Sequence, residues 1–395
     1  MDFDIVIVGG GLAGSSLAAA LAEGKHRVAL LERRAPPAPA AQWDSRVYTL
    51  TPASIAFLER IGAWPRVPRE RVTPIYDMQV FGDDRGSRLD FSAYESGVLQ
   101  LGATVESGRL LHALWQGFEN QRNLSLICPA APSELRRAGN RVEIGLDRGR
   151  VASAKVVVGA DGADSWVRQA AGLEARSESY EQLGIVANFA CGRAHRNIAY
   201  QWFRGDGVLA FLPLPGRRVS IVWSTSRAHA SELLALPPAA LCARVSEASR
   251  GALGDLEPLT PPAAFPLSRL VSRRIAQERV ALIGDSAHVV HPLAGQGINL
   301  GLGDAHCFAD LLRAAADPGD RMLLRRFERS RAEDILALHW VTHGLFRLFG
   351  TNRAIIRRIR NLGLNLTNSN PVIKTLLTRR AAAVGSGLHQ QRETS

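Results

Sequence analysis

The sequence predicts an α/β fold: a Rossmann-like nucleotide-binding domain, an inserted, mainly antiparallel β-sheet domain, and a helical C-terminal region. Three observations predict it. Glycine-bearing segments, each following a buried strand, recur at residues 5–14 (IVIVGGGLAG), 156–162 (VVVGADG) and 280–299 (VALIGDSAHVVHPLAGQGIN). Between the second and third, residues 175–275 are rich in short β segments, and beyond the third the pattern is helical.

In order, residues 3–8 read as an apolar strand, 11–23 as a helix with small residues toward a sheet, and 27–32 as the next strand, together a βαβ unit. Residues 35–45, rich in Pro and Ala, form a loop, and helices are expected over 52–61 and 105–116. Residues 124–158 alternate in short strands with turns at Ala138-Gly139-Asn140 and Asp147-Arg148-Gly149, and 155–158 returns to the nucleotide domain. Segments 185–191, 198–203, 208–212 and 218–225, with a turn at Pro215-Gly216, suit an antiparallel sheet. Strand 280–283 returns once more, helices run on to residue 383, and the end is a frayed polar tail. The nucleotide domain is therefore expected in three parts (1–75, 101–175, 276–320), the inserted domain in two (76–100, 176–275), and the helical region over 321–395.

A chain of 395 residues, 46% apolar and 22% charged, is ordinary for a globular protein with a large core. The N-terminus reads as a strand rather than a signal peptide, and the apolar run at 5–22, broken by four glycines, is no membrane span. Cys128, Cys191, Cys242 and Cys307 are scattered without a CxxC pair, which argues against disulfides and thiolate metal sites and suits a cytoplasmic location. Lys and Arg exceed Asp and Glu by 48 to 37, a net charge of +11. A generally basic surface is the plain reading. Yet residues 321–380 mix arginines with apolar residues (Phe346-Arg347-Leu348-Phe349; Ile355-Ile356-Arg357-Arg358-Ile359-Arg360), a pattern suited to the surface of the inner membrane or to a protein partner. No nucleic-acid motif accompanies the charge.

In the first segment Gly9 permits a tight turn, Gly11 lets backbone approach a pyrophosphate, and Gly14 lets the helix sit on the sheet. The helix N-terminus then faces phosphates with free N–H groups. Glu32, 18 residues after Gly14, suits a ribose hydroxyl and would repel a 2′-phosphate, which leaves NAD or FAD. Asp161 either faces a ligand or caps a helix starting near Ser165. In the third segment Asp285 ends a strand and suits a polyol, while Gly295, Gln296, Gly297, Ile298 and Asn299 open a helix whose N–H groups would stabilise negative charge. His288 and His291 stand three apart, but no third ligand completes a metal site. His291 reads as active-site lining and His288 as a packed residue. Trp202, Phe203, Phe211 and Trp223 lie on the inserted sheet as pocket wall or core.

These segments resemble the GxGxxG, DG and GD motifs of class A flavoprotein monooxygenases, and more narrowly the FAD-dependent hydroxylases of ubiquinone biosynthesis, which are similar to 4-hydroxybenzoate hydroxylase. The narrower match is carried by Asp44-Ser45-Arg46-Val47-Tyr48-Thr49-Leu50, Leu101-Gly102-Ala103-Thr104-Val105-Glu106, Phe327-Glu328-Arg329-Ser330-Arg331, Arg360-Asn361-Leu362-Gly363-Leu364 and Asn370-Pro371-Val372-Ile373-Lys374. The resemblance implies that Gly9, Gly11, Leu12, Ala13, Gly14, Glu32 and Arg33 hold the ADP half of FAD and that Arg46 contacts the cofactor. It further implies that Asp161 and Gly162 face FAD and the nicotinamide donor, that Asp285 binds the ribityl chain, that Pro292 lies beside the isoalloxazine, and that Gly295 to Asn299 cover its pyrimidine edge. Trp202, Phe211 and Trp223 would line the substrate pocket. The implied reaction is hydroxylation of a prenylated phenol with O₂ and transiently bound NADH or NADPH, through a flavin C4a-hydroperoxide, with no metal. Two positions depart from the family: Glu106-Ser107 stands for Glu-Asn, and Thr342-His343 for Thr-Asp. Rival readings are a flavin halogenase, whose WxWxIP signature is missing, a prenyl-lipid reductase, and a non-enzymatic prenyl-binding escort, which has no use for the third segment.

Overall fold

The computed structural model describes residues 1–84, 86–291, 296–349, 361 and 364–384. The apolar strand Ile5–Val8, fully buried, lies at the middle of a six-stranded sheet. To one side the chain adds Val28–Leu31 and then Leu124–Ile127; to the other it adds Val156–Gly159, Val280–Leu282 and Ala276–Gln277. All pair in parallel except the last, an antiparallel edge. The direction of strand addition therefore reverses between Ile5–Val8 and Val156–Gly159, and the carboxyl ends of two such strands are where parallel α/β sheets place ligands.

Helix Leu12–Ala20 follows the first strand and packs on helix Gly297–Ala314 through small residues: a side chain at Gly284 would touch Ala13, and one at Gly301 would touch Gly284. Small antiparallel sheets flank this core, one of Val47–Leu50, Gly102–Glu106 and Thr73–Ile75, another of Pro132–Ala138, Arg141–Leu146 and Val151–Ala154.

The inserted residues build a second, larger sheet, here called the platform. Its long strand Ala175–Cys191 pairs with Ala263–Ser272 and Arg218–Ser226; Gly207–Leu214 and Ile198–Arg204 continue it, and Asp77–Phe81 and Arg88–Ser92 complete it from far earlier in the chain. His288–Val289 joins its opposite edge, so the third glycine segment contributes to both sheets. Two features differ from the sequence reading. Helices Arg227–Leu234 and Pro238–Ala248 cover one platform face, in a part of the β-sheet domain for which no helix was expected. The helix expected at 105–116 spans Ser107–Gln116, because Val105 and Glu106 still pair with Tyr48 and Val47.

Candidate active site

Gly9 sits at φ +107°, and a side chain there would run into the Ala160 carbonyl; one at Gly14 would meet the Gly9 carbonyl. Gly11 is different: a side chain there would meet no atom within 4 Å, so the start of helix Leu12–Ala20 opens on free space. Gly10 is held beneath, its carbonyl accepting from Trp115 Nε1 at 3.0 Å and from Ser15 Oγ at 2.8 Å. The Glu32 carboxylate borders this space, fixed by the backbone N–H groups of Gly10 (2.6 Å), Arg33 (2.7 Å) and Arg34 (3.1 Å).

At the second segment Asp161 accepts from Ser165 Oγ at 2.6 Å and from the Val167 N–H at 3.0 Å, so both oxygens serve the start of helix Trp166–Ala170, and the capping reading describes its contacts. Gly162 follows with φ +86°, a turn that suits glycine. Arg168, buried, ties the second segment to the third by donating to the carbonyls of Ala163 (2.8 Å) and Ser286 (2.9 Å).

Asp285 stands on the turn Gly284–Ser286, opposite Ala13. Its side chain is open to solvent although protein crowds it, the situation of a group lining a deep crevice, and that crowding pushes its pKa up. Tyr48, half-buried, lies within electrostatic reach of Asp285, Arg46 and Asp44, and burial raises its phenol pKa likewise. Arg46 is exposed at the same crevice, its loop fixed by Asp44, which accepts from the Arg46 N–H at 2.9 Å and the Gly108 N–H at 3.1 Å. Asp44 in turn donates its own N–H to Glu106 (2.8 Å), a buried carboxylate paired with Arg109 at 2.7 Å. Glu106 is thus spent on structure, and Ser107 beside it lies close to the Tyr48 phenol.

Beneath the Asp285 turn lies a buried ionic network absent from the sequence reading. Asp304 accepts from the Gly284 N–H (2.9 Å) and from Arg331 Nε (2.7 Å), and its Oδ2 is 2.6 Å from His288 Nε2. Burial alone would raise the Asp304 pKa, but His288 and Arg331 outweigh it and hold the carboxyl below its ordinary value. His288 is therefore a packed residue with a carboxylate partner, on a short strand rather than a helix. Asn299 is likewise occupied: its amide donates to the Thr49 carbonyl and accepts from the Thr51 N–H, both at 2.9 Å, so the side chain binds helix Gly297–Ala314 to the Tyr48 strand. Nearby, the Gln296 Oε1 is buried without a hydrogen bond among the described residues, and Ile298 packs on the nucleotide core. Pro292 and Gly295 lie outside the described residues.

The structure corrects the expected pocket wall. Trp202, Phe211 and Trp223 are at most 2% exposed and pack with the two platform helices, Trp202 against Phe211 edge-on at 4.9 Å. A wall of an open pocket would be reachable by solvent; these side chains are core. Successive strand residues point to opposite faces, so the other face carries Val208, Ala210, Leu212 and Val222, each partly exposed. Asn188 on that face reaches the Asp44 carbonyl at 2.8 Å, so it is the face turned toward the nucleotide domain. The strands were read correctly and the parity was not. Phe203 does lie on this second face, buried with Val80, Leu89 and Val208.

The residues present fit a flavin dinucleotide. A helix start that opens on free space at Gly11, the Glu32 carboxylate beside it, the exposed Asp285 carboxylate and the orphaned buried amide oxygen of Gln296 are the groups such a ligand needs.

Comparison with known proteins agrees. Residues 135–338 match the FAD binding domain family, and residues 4–46 match the FAD dependent oxidoreductase family. The ubiquinone hydroxylase UbiL of Rhodospirillum rubrum is 36% identical over 96% of this chain and 89% of its own length. The 3-demethoxyubiquinol 3-hydroxylase of Escherichia coli is 34% identical over 94% of this chain and 96% of its own. Among solved structures, PqsL of Pseudomonas aeruginosa in complex with 2-aminobenzoylacetate is 25% identical with a TM-score of 0.77 over 93% of this chain and 100% of its own. The p-nitrophenol 4-monooxygenase PnpA of Pseudomonas putida shares the fold, with a TM-score of 0.79 at 17% identity over 97% of this chain and 98% of its own. The chain belongs to the FAD-dependent hydroxylases of ubiquinone biosynthesis.

Proposed function

We propose that this chain adds a hydroxyl group to the ring of a prenylated phenol on the route to ubiquinone, converting ring C–H, O₂, NAD(P)H and a proton into C–OH, water and NAD(P)⁺. The observation that carries the reading is Asp285, exposed on the Gly284–Ser286 turn, which Asp304 anchors through the Gly284 N–H and which packs against Ala13 of the glycine helix start. FAD, when bound, supplies reduction by the nicotinamide and activation of O₂. The residues of the chain do the rest. The helix start at Gly11 to Ala13 receives the pyrophosphate, Glu32 and Arg33 the adenosine end, Arg46 and Asp285 the ribityl region, and the helix start at Gly297 the flavin ring. Val208, Ala210, Leu212 and Val222 offer an apolar wall that orients the phenol and excludes water. Because the phenol supplies its own electrons, few acid–base side chains are needed.

The C-terminal helices support contact with a membrane surface that holds such a substrate. Helix Arg321–Phe349 exposes Leu336, Trp340 and Val341, and helix Pro371–Ala383 exposes Leu376 and Leu377 beside Arg379 and Arg380. None of the described helices is long and apolar enough to cross a membrane. The basic run at 355–360 lies outside the described residues.

Purified protein supplied with FAD, NAD(P)H and ¹⁸O₂ should yield a phenol carrying one ¹⁸O, and deletion of the gene should accumulate an intermediate lacking one ring hydroxyl. Failure to bind FAD, or a product without ¹⁸O, rejects the reading. Flotation with anionic vesicles but not neutral ones is expected for the surface contact.

A further inference from the structure

The platform strand Ala175–Cys191 is interrupted where it passes the third glycine segment. Ser179 pairs with Ser268 and Gln182 with Leu267, so Tyr180 and Glu181 are extra residues, a bulge, with Glu181 at φ +52°. That conformation is costly for a residue with a side chain, and bulges re-aim the side chains beside them. Here the bulge aims Tyr180 at His291, edge to face with ring centroids 4.6 Å apart, while Gln182 Oε1 sits 3.3 Å from His291 Nε2. The His291 ring is 1% exposed, and burial lowers its pKa to about 4, so it is neutral near pH 7. The second side of Tyr180 faces His343, centroids 6.2 Å apart, which gives the His343 departure from the family pattern a structural place.

We propose that Tyr180 and Gln182 are positioning residues for His291: the bulge holds this ring in one orientation and so ties the platform sheet to the end of strand His288–Val289, in the same glycine segment as the helix start at Gly297. The inference rests on the reading that this helix start faces the flavin. It assigns the orientation of His291 to the platform sheet, and so to the same element that carries the substrate wall.

The test uses the full-length protein loaded with FAD, in wild-type, Tyr180→Phe, Tyr180→Ala and Gln182→Met forms. Tyr180→Phe keeps the ring contact and should match wild type. Tyr180→Ala and Gln182→Met should each speed hydrogen exchange several-fold at residues 288–291 and 296–300, alter the visible circular dichroism of the bound flavin, and raise peroxide released per NAD(P)H, with the melting temperature otherwise near wild type. Wild-type exchange and dichroism in both variants overturn the proposal. If Tyr180→Ala does not fold, Gln182→Met alone decides by the same readouts. Wild-type protein that binds no flavin instead breaks the functional reading, and the exchange measurement on the unliganded protein still tests the positioning.

Discussion

The nucleotide end of the site and the platform face are built by different means. At the nucleotide end the work falls to backbone: turns at Gly9 and Gly284 with φ of +107° and +61°, a helix start at Gly11, and side chains such as Glu32 and Asp285 at strand ends. On the platform it falls to side chains on one face of a sheet, and the identity of that face is set by two helices packed on the other. A backbone site tolerates almost no change at a few positions. A sheet face tolerates much change at many, which is where substrate choice can vary without loss of the fold.

The largest effect is expected where the two regions are tied together. Arg331→Leu leaves Asp304 buried without its cation and should destabilise the protein by about 3–5 kcal/mol, read from urea unfolding, with loss of bound FAD. Stability from Asp304, whose folded pKa is depressed, is present above its ordinary value of about 4 and lost as pH falls below it. A stability curve for Arg331→Leu identical to wild type would break the link.

Next, the two platform faces should respond oppositely. Trp202→Ala should cost about 3–5 kcal/mol of stability with KM for the phenol little changed, whereas Ala210→Phe should raise KM several-fold at small cost in stability. The reverse outcome would place the substrate on the helix-covered face.

An intermediate effect is expected from pH. Burial lowers the pKa of both His291 and His339 to about 4, so between about pH 6.5 and 4 the unfolded chain binds protons that the folded one refuses. Stability should therefore fall as pH drops through this window, by at most about 2.7 kcal/mol per pH unit for two protons, and His339→Gln should flatten the slope.

The smallest effect on the fold is expected at Gly11. Gly11→Ala adds a methyl group to open space, so the unliganded protein should melt as wild type does, while FAD affinity falls at least about tenfold, roughly 1.4 kcal/mol. Unchanged affinity would remove Gly11 from the cofactor site.

This contrast also explains what the sequence disclosed. The strand–glycine–helix segments were legible because a positive φ or a close backbone approach admits few residue types, and the topology that joins them follows from right-handed parallel crossovers. The platform strands were legible from their β-rich composition, but not their facing, since strand period alone leaves both parities open until a packing partner is known. Asp304 and Arg331 were illegible for another reason, and so was the carboxylate partner of His288. Each is an ordinary polar residue on or beside a helix, and only the fold brings position 331 within hydrogen-bonding distance of 304. Asn299 has a structural role that the sequence did not disclose: its side-chain amide joins helix Gly297–Ala314 to Thr49 and Thr51.

The Arg331–Asp304 contact also has a consequence for synthesis. The first strand and its glycine turn leave the ribosome early, but the turn bearing Asp285 is anchored by a carboxylate whose cation lies 27 residues further on. Until helix Arg321–Phe349 has emerged, the nascent chain holds an incomplete pocket with a buried-to-be carboxylate still seeking its partner. Cofactor loading is then a late event in the life of the chain, and a ribosome stalled before residue 331 should carry a polypeptide that FAD cannot rescue from proteolysis.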